Sequence, residues 1–398
     1  MAENHHRPIT LDTLLERARG IAQMAAERRQ AIQQQRHLPD DVVHALRESG
    51  LLRIMQPAHW GGYEMDLGTF VRVATEIAKG DTSTGWVFCI LGIHQFWVGY
   101  VEPELQQEIW GRNTEVTMAD SFAPVGVVEP VAGGYRLSGR WSFLSGLWCS
   151  DWIAVGALTT PPAGDRPEWA MFFVPKGDYR IDDQWHVVGL QGTDSNTVVV
   201  ENAFIPPHRV FWLERAERTG QAPGHALHQS PIYRIPFVPT LGLALTPSAV
   251  GSARAAIDHF QRWIETRTPV FKVGNTTQRE MTSAQTALAE AMMTMEAVEG
   301  LMLRCADEIM AWSSRDRRPT EQERARYYAL RSYLVRQSTR VVDRLFELSG
   351  GHAIYLQQPL QQIWRDLHAV SQHFALHYEF AMEVYGRTLV GLPGGAMV

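Results

Sequence analysis

The stretch 133-GGYRLSGRWSFLSG-146 alternates aromatic or apolar residues with Arg and Ser, the period-2 pattern of a half-buried strand. It reads as two short strands joined at Ser138-Gly139, the second stopping at Leu144-Ser145-Gly146. The aromatic run "LWCSDW" (147–152) follows directly. A core strand that ends in a small hydroxyl must satisfy it; beside a ligand the same hydroxyl is a contact. Ser145 is therefore the first candidate site residue.

Working outward, short alternating strands fill residues 116–213. They include "DWIAVGAL", "WAMFFVPKG" and "NTVVVENAFIP", separated by Gly, Pro and Asp. On the N-terminal side the period is helical. "LPDDVVHALRESGLLRI" has Asp40 and Asp41 at a helix start and Gly50 just past its end. "DLGTFVRVATEIAKGDTSTGWVFCILGIHQF" supplies two more helices, the second apolar all round and so buried. On the C-terminal side, long amphipathic segments return from about 238 to 386 and suit a bundle. The expected class is α+β, mostly α: a helical domain (1–115), a β-barrel or sandwich (116–215) and a C-terminal four-helix bundle (216–398).

Composition narrows the function. The 398 residues are 45% hydrophobic with a formal net charge of −6, so cores are sizeable and no basic footprint for nucleic acid exists. Cys89, Cys149 and Cys305 are far apart and form no C-x-x-C, which argues against a disulfide framework and a structural zinc. The apolar run 87–101 contains His94 and Gln95 and is too short for a bilayer span. The polar N-terminus is no secretory signal. A cytoplasmic location without membrane association is expected.

No two glycines are separated by a single residue, so G-x-G-x-x-G cannot occur; G-K-[ST], G-x-S-x-G and H-E-x-x-H are absent too. What remains are scattered candidates. His94 lies in "ILGIHQFW", either a buried helix histidine or an acid–base group. His373 and His377 are spaced i, i+4, as for one helix face. No third ligand accompanies them, so no metal is expected. Asp120, in "TMADSFAPVG", has the company of a turn or cap residue. Gly350-Gly351 follows a long helix, where a C-cap needs one glycine; the second suggests close approach by another group.

Four motifs in order resemble the acyl-CoA dehydrogenase superfamily over nearly the whole chain: "TMADSFAPVG", "GGYRLSGRWSFLSG", "VVGLQGTDSNTVVVENAFIPPHRV" and "LSGGHAIYLQQPLQQIWRD". Within it, the chain resembles the oxygenase components of two-component flavin-dependent aromatic monooxygenases. It is similar to those acting on p-hydroxyphenylacetate or a secosteroid phenol in "DTSTGWV", "RDLHAVSQH" and the tail "GLPGGAMV". The dehydrogenase branch would carry a Glu base shortly after the Arg-Asp pair, where this chain has "HAVSQHFAL".

The resemblance implies reduced flavin (FMNH2 or FADH2) and O2 as cofactors, with oxygen adding at flavin C4a. A separate NAD(P)H:flavin reductase, an aromatic (phenolic or indolic) small-molecule substrate and a homotetramer are further implications. It puts Ser145 at the flavin N5 edge, Trp141 or Phe143 in the wall of the pocket, Gly350 and Gly351 against a neighbouring subunit's flavin, and makes Arg267 a candidate partner of the flavin phosphate. His94 and His373 become the histidines lining the active site, one of them the base. Asp120 and Trp148 depart from the family's pattern and become substrate-facing candidates. Asp120 keeps open N- or S-oxygenation. A dehydrogenase, and a non-catalytic assembly protein that kept the fold and lost the flavin, stay open with less to support them.

Overall fold

The computed structural model describes residues 9–162, 164–268 and 277–395; the last three residues of the tail motif fall outside them. Five helices come first: α1 (Leu11–Gln35), α2 (Asp40–Glu48), α3 (Leu67–Ala78), α4 (Thr82–Val98) and α5 (Pro103–Trp110). Local chemistry sets their starts. Asp66 and Asp81 accept the backbone N–H of Thr69 and Thr84, both at 2.8 Å, capping α3 and α4. Every residue of α4 is buried. Its all-round apolar sequence is thus explained by enclosure between α3, α8 (Thr246–Thr266) and the strand that follows α5.

That strand, β1 (Met118–Val131), starts a seven-stranded mixed sheet with β2 (Gly134–Leu144), β3 (Trp152–Thr159), β4 (Glu168–Pro175), β5 (Arg180–Asp182), β6 (Asn196–Ile205) and β7 (Val210–Phe211), in the order β5-β6-β2-β1-β3-β4-β7. β1 pairs in parallel with β3 through its first residues. After a register shift between Ser121 and Gly126 it meets β3 again at Ala157, and from Val127 on it pairs antiparallel with β2. Both halves bury side chains in one core that includes Leu137, Trp141, Ile153, Val155, Phe172 and Val198, a sandwich-like arrangement.

The decisive stretch differs from its sequence reading in one respect. Gly134–Leu144 is a single strand, and the turn lies before it, at Gly133 with φ +81°. Ser138-Gly139 is instead an irregularity in the pairing with β6, where the register shifts between Leu137 and Gly139. A second shift, between Trp141 and Leu144, breaks the alternation just where β2 ends.

Helices then return: α6 (Leu213–Thr219), α7 (Phe237–Leu243), α8, α9 (Thr282–Met310), α10 (Glu321–Ser349), α11 (Pro359–Val370) and α12 (Tyr378–Leu389). α10 packs against α8, α9, α11 and α12, forming the expected bundle. A capping box at Thr320 and Glu323 starts it. Among the described residues no helix is long and apolar enough to cross a membrane, and no cluster of three metal-ligating side chains occurs. Cys89, Cys149 and Cys305 are buried free thiols.

Candidate active site

Strand periodicity explains how a carboxylate reaches the buried helix. Ala119 belongs to the sheet's interior core, whereas its neighbour Met118 belongs to the helix-facing core. Asp120, one residue beyond Ala119, falls on the helix side again. There its Oδ1 lies 3.2 Å from Nε2 of His94, with the two side chains only 12% and 3% exposed. Asp120 is thus a strand residue, paired with Ala154 of β3, rather than the turn or cap its neighbours suggested.

The tautomer of His94 follows from its other nitrogen. Nδ1 is 2.6 Å from the carbonyl oxygen of Met118. A carbonyl only accepts, so Nδ1 carries the hydrogen. On the neutral ring Nε2 then presents a lone pair toward Asp120, and the two groups attract only when one proton sits between them.

His373 sits opposite in character. It and His377 do not share a helix: α11 ends at Val370, His373 caps a short 3-10 turn and His377 caps α12. Nδ1 of His373 accepts the N–H of Ala375 at 3.3 Å, which leaves the hydrogen of the neutral ring on Nε2. Burial pushes its pKa down to about 4; nearby Asp120 opposes that shift and Arg331 adds to it. The side chain keeps partial exposure while ringed by protein. At neutral pH it is an uncharged donor.

Trp86 of α4 links His373 to Ser145. Its ring meets the imidazole edge-on at 5.2 Å between centroids, and its Nε1–H donates to Ser145 Oγ at 2.9 Å. Ser145 in turn lies 2.8 Å from Ser195 Oγ, and Ser195 2.7 Å from Thr193 Oγ1. Thr193 Oγ1 reaches the Leu190 carbonyl at 2.9 Å. Asp366 of α11 accepts the Leu190 N–H at 2.7 Å and so ties this loop to the bundle. Leu190 and Asp194 have φ of +55° and +47°, left-handed values that non-glycine residues adopt only when their surroundings enforce them.

The remaining candidates divide. Phe143 is 70% exposed, with φ +68°, because the bulge before Leu144 turns it out of the sheet. Trp141 does not reach a surface. Its indole is fully buried in the sheet core and donates to the carbonyls of Ala123 and Gly156. The period of 2 with Tyr135 and Leu137 already places it inward. Trp148 stacks on His37 at 4.4 Å and donates from Nε1 to Asp40, so its ring is engaged where α1 passes into α2. Arg267 and Gly350 are brought together: Arg267 donates to the Ser349 carbonyl, and a Cβ on Gly350 would lie 2.6 Å from its Nη2.

Sequence reading missed Trp86, Thr193, Ser195 and Arg331. The last is a buried cation in α10, which donates from Nε to the Ala375 carbonyl at 2.7 Å. The only visible signal was "GTDSNT" (192–197), small hydroxyls directly after a glycine. A cavity of about 460 Å3 near Tyr100, His225, Trp312 and Arg318 shares no residue with this cluster.

Comparison with known proteins bears on what the cluster does. Residues 10–106 match the acyl-CoA dehydrogenase N-terminal domain, and residues 243–378 the acyl-CoA dehydrogenase C-terminal domain. The chain is 35% identical to the flavin-dependent monooxygenase oxygenase subunit HsaA of Rhodococcus jostii, over 92% of this chain and 95% of that one. It is 31% identical to the FADH(2)-dependent resorcinol hydroxylase oxygenase component of a Rhizobium species, over 95% and 94%. The structure of XiaF from Streptomyces in complex with FADH2 and glycerol superposes with a TM-score of 0.90, at 25% identity, over 97% of each chain. These relatives favour neither a dehydrogenase nor oxygenation at nitrogen or sulfur. The chain belongs to the flavin-dependent monooxygenases built on the acyl-CoA dehydrogenase fold, as an oxygenase component.

Proposed function

We propose that the protein hydroxylates a phenolic or indolic ring, receiving reduced flavin from a separate NAD(P)H:flavin reductase. The observation that carries this reading is the contact of His94 with Asp120 at 3.2 Å, with a neutral His373 near enough to feel the Asp120 charge. An aromatic ring attacks an electrophilic oxygen fastest as its phenolate. A phenol near pKa 10 therefore needs a base at neutral pH, and His94 with Asp120 is placed to hold that one proton. His373, uncharged with its hydrogen on Nε2, suits donation to the substrate oxygen better than proton removal.

The residues present fit a flavin. Ser145 ends β2 with a lone pair unused by its protein partners, beside an aromatic surface at Phe143 that the fold leaves uncovered at the expense of a left-handed backbone. At the other end, Gly350 in a conformation reserved for glycine lets the Arg267 guanidinium pack against its backbone, and a guanidinium suits phosphate. When bound, reduced flavin supplies two electrons and activates dioxygen for transfer. The protein's part is to hold the ring with Phe143 and Ser145, orient the substrate, exclude water around α4 and move one proton at His94. FADH2 is our choice over FMNH2, on the names of two relatives.

A homotetramer with the phosphate end of the site shared between subunits is part of the proposal. Support comes from Ile354, Tyr355 and Leu356, which follow Gly350-Gly351 and are 68%, 53% and 78% exposed, an apolar run that suits cover by another copy.

The test is a coupled assay with a flavin reductase, NADH and a panel of phenols and indoles. His94→Ala and His373→Ala should each retain reduced-flavin binding and lose product, with the electrons diverted to hydrogen peroxide. Full product yield from both variants would sink the assigned roles.

A further inference from the structure

We propose that the hydroxyl chain Ser145–Ser195–Thr193 reads the redox state of the flavin and favours the reduced form. The inference rests on the reading that Ser145 faces flavin N5. It follows from counting hydrogens, since each hydroxyl has one to give.

The two ends of the chain are fixed by groups with a single role. Trp86 Nε1–H only donates, and gives its hydrogen to Ser145 Oγ. The Leu190 carbonyl only accepts, and takes the hydrogen of Thr193 Oγ1. With Thr193 committed to Leu190, Ser195 must donate to Thr193 and Ser145 must donate to Ser195. Ser145 has then spent its hydrogen and accepted one from Trp86. A single lone pair is all it can offer a ligand.

Reduced flavin carries a hydrogen on N5, whereas oxidised flavin presents a lone pair there. The chain in this polarity welcomes the first and meets the second lone pair to lone pair. The opposite polarity, Thr193 to Ser195 to Ser145, frees the Ser145 hydrogen for oxidised N5 but gives up the Thr193–Leu190 bond. One hydrogen bond therefore separates the two polarities, worth about fivefold in an equilibrium. Leu190 is held from the bundle side by Asp366, and its carbonyl also accepts the Trp185 indole N–H at 2.9 Å and the Thr193 backbone N–H at 3.2 Å. Ser195 and Thr193 act through Ser145, so they are positioning residues.

The experiment is anaerobic titration of the full-length protein with FAD and with dithionite-reduced FAD, giving the ratio of the two dissociation constants. Thr193→Val removes the end of the chain and should lower the preference for the reduced form about fivefold. Thr193→Ser, which keeps the hydroxyl, should restore it. Ser195→Ala cuts the same chain one link earlier and should act like Thr193→Val, which covers the case of a valine variant that does not fold. In a Ser145→Ala background the valine change should have no effect on the ratio. An unchanged ratio in Thr193→Val and Ser195→Ala, with Ser145→Ala still altering flavin binding, overturns the redox reading alone. Unaltered binding of both flavin forms by Ser145→Ala overturns the placement of Ser145 itself.

Discussion

Nε2 of His94 faces Oδ1 of Asp120 at 3.2 Å while Nδ1 of the same ring is engaged with the Met118 carbonyl at 2.6 Å. The carbonyl fixes the tautomer, and the tautomer makes the carboxylate a partner in holding one proton. Asp120→Asn keeps the shape and removes that capacity. Hydroxylation under single-turnover conditions should fall about 100-fold, within the range of general-base effects, with reduced-flavin affinity unchanged. An unaltered rate would mean that the pair has no part in proton removal.

His373 makes a prediction about acid stability. Its pKa in the fold, about 4, lies below the ordinary histidine value, so the unfolded chain takes up the proton first as pH falls. The stability tied to its neutral form is fully present above about pH 6.5 and is lost as pH falls toward 4. His225 and His228, each also pushed down to about 4 by burial, add in the same direction. Replacing His373 by Gln should therefore flatten the acidic limb of Tm against pH, measured between about pH 4.5 and 7. Parallel curves for the two proteins would contradict the shift.

Phe143 exchanges stability for a surface. It holds a left-handed backbone and an exposed ring at the end of β2. Phe143→Gly should relieve a strain of about 1–2 kcal/mol against an entropy cost of about 0.4–1 kcal/mol. The variant should melt slightly higher and bind reduced flavin more weakly, read by calorimetry and by anaerobic titration. A weaker fold with intact flavin binding is the contrary result.

Gly350 is the converse case. With φ +65° and ψ −168° it occupies a region open only to glycine, and a Cβ would press on Arg267. Gly350→Ala should lower stability by about 1–3 kcal/mol in thermal or denaturant unfolding and weaken FAD more than riboflavin, which lacks the phosphates. Equal losses for the two flavins would separate Arg267 from phosphate binding.

Much of this was legible from the residues. Alternation placed the strands, Asp40, Asp41 and Gly50 marked the ends of α2 without capping it, and α4 read as buried because it is apolar on every face. Legibility failed where a local irregularity or a long-range contact decided the outcome. Trp141 obeys the strand period and is buried, while Phe143, two residues on, breaks it because of a bulge that no propensity announces. Ser138-Gly139 looked like a turn and is a register shift. The contacts of Ser145 with Trp86 and Ser195 span 59 and 50 residues of chain, so only the folded sheet could reveal them. The i, i+4 spacing of His373 and His377 misled because α11 stops at Val370.

The most direct measurement supplies the protein with reduced FAD, labelled dioxygen (18O2) and a phenol that turns over in the coupled assay. Mass spectrometry then follows the product of the wild type and of His94→Ala. One labelled oxygen atom on the ring, with the yield collapsing in the variant while flavin reoxidation continues, is the predicted result. Unlabelled product, or flavin reoxidation giving only hydrogen peroxide with every phenol and indole tried, would contradict a hydroxylase in which His94 holds the substrate's proton.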